Sequence, residues 1–292
     1  MSIAPSRATP LLGRLQAAKA ALLGRHPAPP NAYLGEHTSL TLLDGMMIYV
    51  DTRSTDIAPS LLMRGVWDLE WTSLFVRLIR PGDTVLDLGA NLGVYTLHAA
   101  RAVGPGGRVH GFEPNRRYAE LVARSLAVNG FDGHAQVHAA AVGETAGEAQ
   151  LRFSWAWGGG GHLALAEGGL TEGEESQRCP VVALDEMFND PGFTVNVMKL
   201  DIEGAEARAL RGMWRLLERS PEARLIFEFA PGLIAGQGVG AAEMIHLLRE
   251  LGFRFWSIGE TSRLSEVSAE SLAGAKDGLR NILAARGAPV PG

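Results

Sequence analysis

Thr84-Val-Leu-Asp87-Leu-Gly89-Ala-Asn91-Leu-Gly93 is the stretch on which the reading of the whole chain turns. Thr84 to Leu88 is an apolar run interrupted only by Asp87, and it enters a glycine-rich turn. Helical spacing follows through Val103, where Gly104-Pro105 stops it. A strand, a glycine turn and a helix in that order form a ligand-binding unit. Glycines let the backbone turn tightly and approach a ligand, and the helix start offers free N–H groups.

Working outward, the same alternation repeats. Arg108 to Phe112 reads as a second strand ending at Glu113-Pro114, Arg116 to Val128 as a helix stopped by Asn129-Gly130, and Ala135 to Val142 as a third strand. Further on, Val195–Leu200 and Arg224–Phe229 read as strands, with a helix over Ala205–Leu217 between them. The helix over Ala241–Leu251 keeps Met244, Leu247, Leu248 and Leu251 on one face, with Gly252 as its cap. Two last strands are expected at Arg254–Ile258 and Asn281–Ala284. Strands spaced by helices predict an α/β fold with a doubly wound, mostly parallel sheet, whose ligands sit at the carboxyl ends of the strands.

Two regions depart from that rhythm. Residues 1–80 read as an N-terminal extension before a ligand-binding domain over 81–292. In the extension, Leu11, Leu12, Leu15, Ala18, Leu22 and Leu23 recur at helical spacing up to His26-Pro27, a docking helix that could pair two copies as a homodimer. Residues 36–80 read as a small hairpin and a helix that pack over the sheet edge or cap the site. The stretch 144–178 holds Trp155, Trp157, Gly158 to Gly161 and the acidic segment Glu172 to Glu175. It is expected to form an extra hairpin and a long glycine-rich binding loop.

Composition narrows the function classes. With 292 residues, 46% hydrophobic and 20% charged, the chain is ordinary for a globular enzyme. The single cysteine, Cys179, excludes an internal disulfide framework and a zinc site of several thiolates. A net charge of -5, with lysine only at 19, 199 and 276 and no basic run, argues against a nucleic-acid binder. No apolar stretch reaches membrane-spanning length and no signal-peptide pattern is present, so the expectation is a cytoplasmic protein without membrane contact.

The glycine turn has the spacing G-x-N-x-G, not the G-x-G-x-x-G of a dinucleotide site, and Asp87 stands two residues before its first glycine. A carboxylate there repels an incoming pyrophosphate but suits the cationic S-adenosylmethionine. Glu113, 24 residues after Gly89 at the next strand end, can accept both ribose hydroxyls of an adenosine. A second constellation, Lys199-Leu-Asp201-Ile-Glu203-Gly-Ala-Glu206, lies at another strand-to-helix junction, with Asp201 and Glu203 on the functional edge. Glu206 reads as a helix cap. Glu228 is a carboxylate on an apolar strand that points into the site or pairs with an arginine. His98 and His110 read as structural.

Together these pieces resemble the FkbM family of S-adenosylmethionine-dependent methyltransferases. The resemblance rests on Gly82 to Thr96, Gly111-Phe-Glu-Pro-Asn115, Leu184-Asp185 and Lys199 to Glu206, in that order over about residues 60 to 235. It implies a class I, Rossmann-like domain with Asp87, Gly89, Asn91 and Gly93 around the methionine part of the cofactor, Glu113 on the ribose, and Ala141 and Val142 near the adenine. The same motifs add Ala90, Tyr95, Thr96, Pro114, Asn115 and Asp201 to the expected cofactor-binding set. Family members often methylate hydroxyls of sugars, polyketides and related natural products. Where the family has an aromatic–Glu pair before its first strand, this chain has Trp67-Asp68.

Methyl transfer to an alcohol needs alignment, exclusion of water and removal of a proton. Asp201 or Glu203 is expected as the base, with His162 of the glycine-rich loop as a rival, and S-adenosylhomocysteine is the expected product. Trp67, Trp155 and Trp157 are candidates for an apolar wall around a hydroxylated small-molecule acceptor. Mg2+ on Asp201 would suit a hard oxygen ligand, but no spacing demands it, and no metal site is predicted. The alternatives are an N-methyltransferase on a small molecule, an NAD-dependent oxidoreductase, disfavoured by Asp87 and the missing G-x-G, and a non-catalytic cofactor-binding protein. A nucleic-acid amino-methyltransferase would carry an Asn/Asp-Pro-Pro-aromatic motif, which is absent.

Overall fold

The computed structural model describes residues 28–156, 161–164, 170–236, 240–259, 262–275 and 278–287. The helix expected over Leu11–Leu23, the dimer contact assigned to it, Trp157 and Gly158 to Gly160 lie outside the described residues.

An antiparallel sheet comes first, β1 (Ala32–Gly35), β2 (Thr38–Leu43) and β3 (Met46–Asp51), followed by helices α1 (Ala58–Arg64) and α2 (Leu69–Leu78). The alternating unit then runs β4 (Thr84–Leu88), α3 (Val94–Val103), β5 (Arg108–Phe112), α4 (Arg116–Val128) and β6 (Ala135–His138). A second sheet is built from β7 (Ala141–Val142), β8 (Gly147–Phe153), β9 (His162–Ala164) and β10 (Glu175–Val182), in the order β7-β10-β8-β9. The chain continues with α5 (Leu184–Met187), β11 (Val197–Leu200), α6 (Glu206–Arg211), α7 (Trp214–Glu218) and β12 (Arg224–Phe229). It closes with α8 (Pro231–Gly236), α9 (Ala241–Glu250), β13 (Arg254–Ile258), β14 (Leu264–Val267), α10 (Ala269–Ala273) and β15 (Arg280–Ala285).

The central sheet has the order β14-β13-β15-β12-β11-β4-β5-β6. The five strands from β12 to β6 are parallel, while β15 is inserted antiparallel between β12 and β13. This is the doubly wound, Rossmann-like α/β architecture, and the order of its strands reverses between β4 and β11. Side-chain alternation splits each central strand between two cores. Leu86, Leu88, Met198 and Leu200 pack with α6, α7 and α9 on one face, and Val85, Val197 and Ile226 with α2, α3 and α4 on the other. Each such side chain fully removed from water contributes about 1.5–3 kcal/mol.

The strand expected over Ala135–Val142 is two strands in two sheets. A tight turn, in which Ala140 N–H donates to His138 O at 2.8 Å, ends the pairing with β5, and Ala141-Val142 restarts beside β10. The helix expected over Ala205–Leu217 is likewise broken, at Gly212-Met213. There the backbone packs so closely on Gly143 that a Cβ on Gly212 would collide with its carbonyl. The extra hairpin expected within 144–178 is present as β8 and β10, joined by seven register pairs. The strand β14 has no counterpart in the sequence pattern, because Leu-Ser-Glu-Val is a short edge segment with little apolar signal.

Residues 32–78 pack on the outer face of α3 and α4. The edge strand β3 is satisfied by side chains of α4 and its cap: Tyr49 N–H donates to Ser125 Oγ at 2.9 Å, and Met47 N–H to Asn129 Oδ1 at 3.0 Å. This docking brings the loop 52–57 and the pair Trp67-Asp68 over the carboxyl ends of the central strands.

Candidate functional site

A cavity of about 540 Å3 opens at the carboxyl ends of β4, β5, β11 and β12, beside the point where the strand order reverses. The turn after β4 forms its floor. Gly89 has φ +82, and a Cβ there would collide with Asp201 O, so β4 and β11 can approach only with glycine at this position. Asn91 follows with φ +49. Its N–H donates to Glu113 Oε2 at 2.7 Å, while Asn115 N–H donates to Glu113 Oε1 at 2.8 Å. Glu113 is thereby fixed on both oxygens at the end of β5, 7% exposed, facing the cavity. Burial pushes its carboxyl up to about 7, against the pull of those two donors.

The loop after β11 is tied to this turn by Lys199. Its ammonium donates to Gly89 O at 3.0 Å and lies 3.1 Å from Asp201 Oδ2, 3.6 Å from Asp87 Oδ1 and 5.0 Å from the Tyr95 ring centroid. Burial works against its charge, but Asp201 and Asp87 outweigh it and hold its pKa above the usual lysine value. Tyr95 in turn donates to Asp68 Oδ2 at 3.2 Å. Glu203 sits in the left-handed region at φ +52, next to Gly204, and Asp68 at φ +44. Non-glycine residues in such backbone states cluster where function over-determines them. Burial, with Asp201 and Glu228 adding, pushes the Glu203 carboxyl up to about 8. Burial also raises Asp68 and Glu228.

Of the residues singled out in the sequence, Gly89, Ala90, Asn91, Tyr95, Glu113, Pro114, Asn115, Ala141, Val142, Asp201 and Glu203 all line this one cavity. Asp87, Gly93 and Thr96 stand behind its wall. The Asp87 carboxylate has no solvent access, accepts from Thr96 Oγ1 at 2.6 Å and faces Lys199, so any influence on a ligand passes through Lys199. His162 is not among the lining residues although its neighbours Gly161 and Leu163 are, as the alternation of a strand requires. Glu206 is buried beneath the loop, with Oε1 accepting from Ile202 N–H at 3.1 Å and Gly204 N–H at 3.3 Å. Among the described residues no three His, Cys, Asp or Glu side chains are gathered as a metal site.

Trp67 lines the cavity, but Trp155 does not. Its ring carries the Arg53 guanidinium 3.5 Å from the centroid, and its Nε1 donates to Glu175 Oε1 at 2.7 Å. Thr55 adds two bonds to Ala156 O, from N at 3.0 Å and Oγ1 at 2.6 Å. These contacts latch the loop 52–57 to the β8 segment over the cavity. Lys199, Tyr118 and the facing loop residues Asp56 and Ile57 were not singled out as site residues in the sequence. Lys199 could have been noticed as a lone lysine two residues before Asp201 on an apolar strand. The others come from remote segments with no local signal.

The fold and this site define a Rossmann-like α/β protein with a ligand cavity at the carboxyl edge of its parallel strands. Residues 87–255, more than half of the chain, match the family described as the methyltransferase FkbM domain. Over 46 residues the chain is 48% identical to a ribosomal RNA large subunit methyltransferase E from Sorangium cellulosum, covering 16% of this chain and 22% of that protein's length. Among solved structures it is similar to a SAM-dependent O-methyltransferase from Thermotoga maritima (14% identity, 94% of this chain and 83% of that one, TM-score 0.43). It is also similar to an O-methyltransferase from Bacillus cereus in complex with SAH (12% identity, 97% and 92%, TM-score 0.42). The chain belongs to the FkbM family of S-adenosylmethionine-dependent methyltransferases. No helix among the described residues is long and apolar enough to cross a membrane.

Proposed function

We propose that this chain methylates a hydroxyl of a small-molecule acceptor, with Glu113 holding the cofactor's ribose and Glu203 taking the hydroxyl proton. The observation that carries the reading is the arrangement of these two carboxylates. Glu113 is pinned by two backbone N–H groups beside the glycine turn, and Glu203 lines the same cavity from the loop after β11 with its carboxyl pushed up to about 8.

The residues fit S-adenosylmethionine. Each Glu113 oxygen keeps a lone pair after accepting one N–H, as two ribose hydroxyls require. Gly89, Ala90 and Asn91 supply a close backbone floor for the methionine part, with Gly93, Thr96 and Asp87 supporting it from behind. Pro114, Asn115, Ala141 and Val142 border the adenine. When bound, the cofactor supplies an electrophilic methyl group. Asp201 is held by Lys199, so it orients the acceptor hydroxyl, while Glu203 has a pKa matched to proton removal near neutral pH. Tyr95, hydrogen-bonded to Asp68, keeps the wall of the reacting end rigid.

Four carboxylates, Asp68, Asp201, Glu203 and Glu228, line that end, and the lysine among them is already engaged. A phosphate or carboxylate on the acceptor would be repelled, so the reading favours an uncharged, hydroxylated acceptor. Incubation with isotopically methyl-labelled S-adenosylmethionine and a panel of neutral polyols, anionic sugars and amines tests this. O-Methyl products from the neutral group support it; products only from amines or only from anionic sugars contradict it.

A further inference from the structure

Tyr118 lines the cavity and is 2% exposed, yet its hydroxyl is shut away from solvent with no hydrogen-bond partner among the described residues. It lies in the first turn of α4, three residues after Asn115, whose N–H fixes Glu113. Its ring meets Trp155 edge to face at 6.0 Å between centroids. The charged groups that act on it are Asp51, Asp56, Glu113 and Arg53. Burial raises its ionisation well above the usual tyrosine value, so the group is a neutral O–H. A buried hydroxyl without a partner is disfavoured, and native proteins keep one where a ligand completes the bond.

We infer that Tyr118 is a cofactor-binding residue whose hydroxyl hydrogen-bonds the polar edge of the adenine ring. The inference rests on the methyl-transfer reading above. Glu113 already answers the ribose, and the apolar Leu151, Phe153 and Ala141, which line the cavity and cluster with the Trp155 that Tyr118 touches, suit the faces of a flat purine. The purine edge presents ring nitrogens that accept, and among the described residues that line the cavity Tyr118 is a buried donor that lacks an acceptor.

The test is Tyr118→Phe, which deletes only the hydroxyl. Calorimetric titration of wild type and variant with S-adenosylhomocysteine, and separately with adenosine, is expected to show about tenfold weaker binding of both by the variant. The unfolding midpoint of the ligand-free variant is expected to be unchanged or higher, because the hydroxyl has no partner to lose. Equal affinity of variant and wild type for S-adenosylhomocysteine would overturn the assignment alone. So would a loss confined to S-adenosylhomocysteine and absent for adenosine, or a lowered midpoint without ligand. Failure of the wild type to bind S-adenosylhomocysteine at all would overturn the methyl-transfer reading, and this inference with it.

Discussion

Asp87 and Lys199 are register partners on the adjacent parallel strands β4 and β11, and their charged groups meet at 3.6 Å with almost no access to solvent. Both fall on the same face of the sheet because Val85 and Val197, two residues before each, do so as well. The pair therefore ties the glycine turn after β4 to the acidic loop after β11. It is a structural joint between the two halves of the site as much as a feature of either motif.

Removing one partner should show this. Lys199→Met leaves Asp87 buried and uncompensated and frees Asp201, and it is expected to cost about 3–5 kcal/mol of stability. Urea unfolding measures it. A loss below about 1 kcal/mol, the range of exposed pairs, would mean that the joint contributes no more than a surface ion pair.

Glu113→Gln should weaken cofactor binding while leaving the fold intact. The carboxylate accepts one backbone N–H on each oxygen, and a glutamine can accept on only one, its NH2 facing the other donor. Loss of hydrogen bonds to a charged group predicts about 10- to 100-fold weaker S-adenosylhomocysteine binding by calorimetry. Unchanged affinity would remove Glu113 from the ribose.

Glu203→Gln should lower kcat by about 10²–10⁴ while S-adenosylhomocysteine affinity stays within about twofold. In the wild type, kcat/KM should rise with pH through about 8, as the Glu203 carboxyl loses its proton in the free enzyme. The variant should lose that limb. A variant with normal turnover and an intact pH profile would transfer the base role to another group.

The same burial affects stability with a definite sign. Glu113, Glu203 and Glu206 have folded pKa values of about 7, 8 and 7, above the 4.5 of an unfolded glutamate. Between those values the folded chain holds protons that the unfolded chain has released, so these groups lower stability as pH rises from about 4.5 to about 8. Glu206→Gln keeps the acceptor for Ile202 and Gly204 and should flatten part of that slope in thermal unfolding of the ligand-free protein. An unaltered slope would mean that Glu206 is ionised in the fold.

Much of this was legible in the sequence where the signal is local. Thr84–Leu88, Arg108–Phe112, Arg116–Val128 and Arg224–Phe229 have the bounds that their apolar patterns and stop signals predict. That Glu113, Asp201 and Glu203 line the cavity is legible because they stand at strand ends on the functional edge. Features set by long-range packing were not legible. The break at Gly212 depends on Gly143, and the antiparallel insertion of β15 depends on partners distant in sequence, as in the pairing of Ile226 with Leu283 and Arg224 with Ala285. That Asp87 faces Lys199 instead of the cavity follows from the register of β4 on β11, and that Asp56, Trp67 and Asp68 line the cavity follows from the docking of residues 32–78. No motif within β4 encodes it.

The most direct measurement is calorimetric titration of the full chain with S-adenosylhomocysteine and NAD+ in parallel. Binding of S-adenosylhomocysteine in the micromolar range and none of NAD+ is expected. Binding of NAD+ without S-adenosylhomocysteine would contradict it, because the Glu113 site would then serve a dinucleotide.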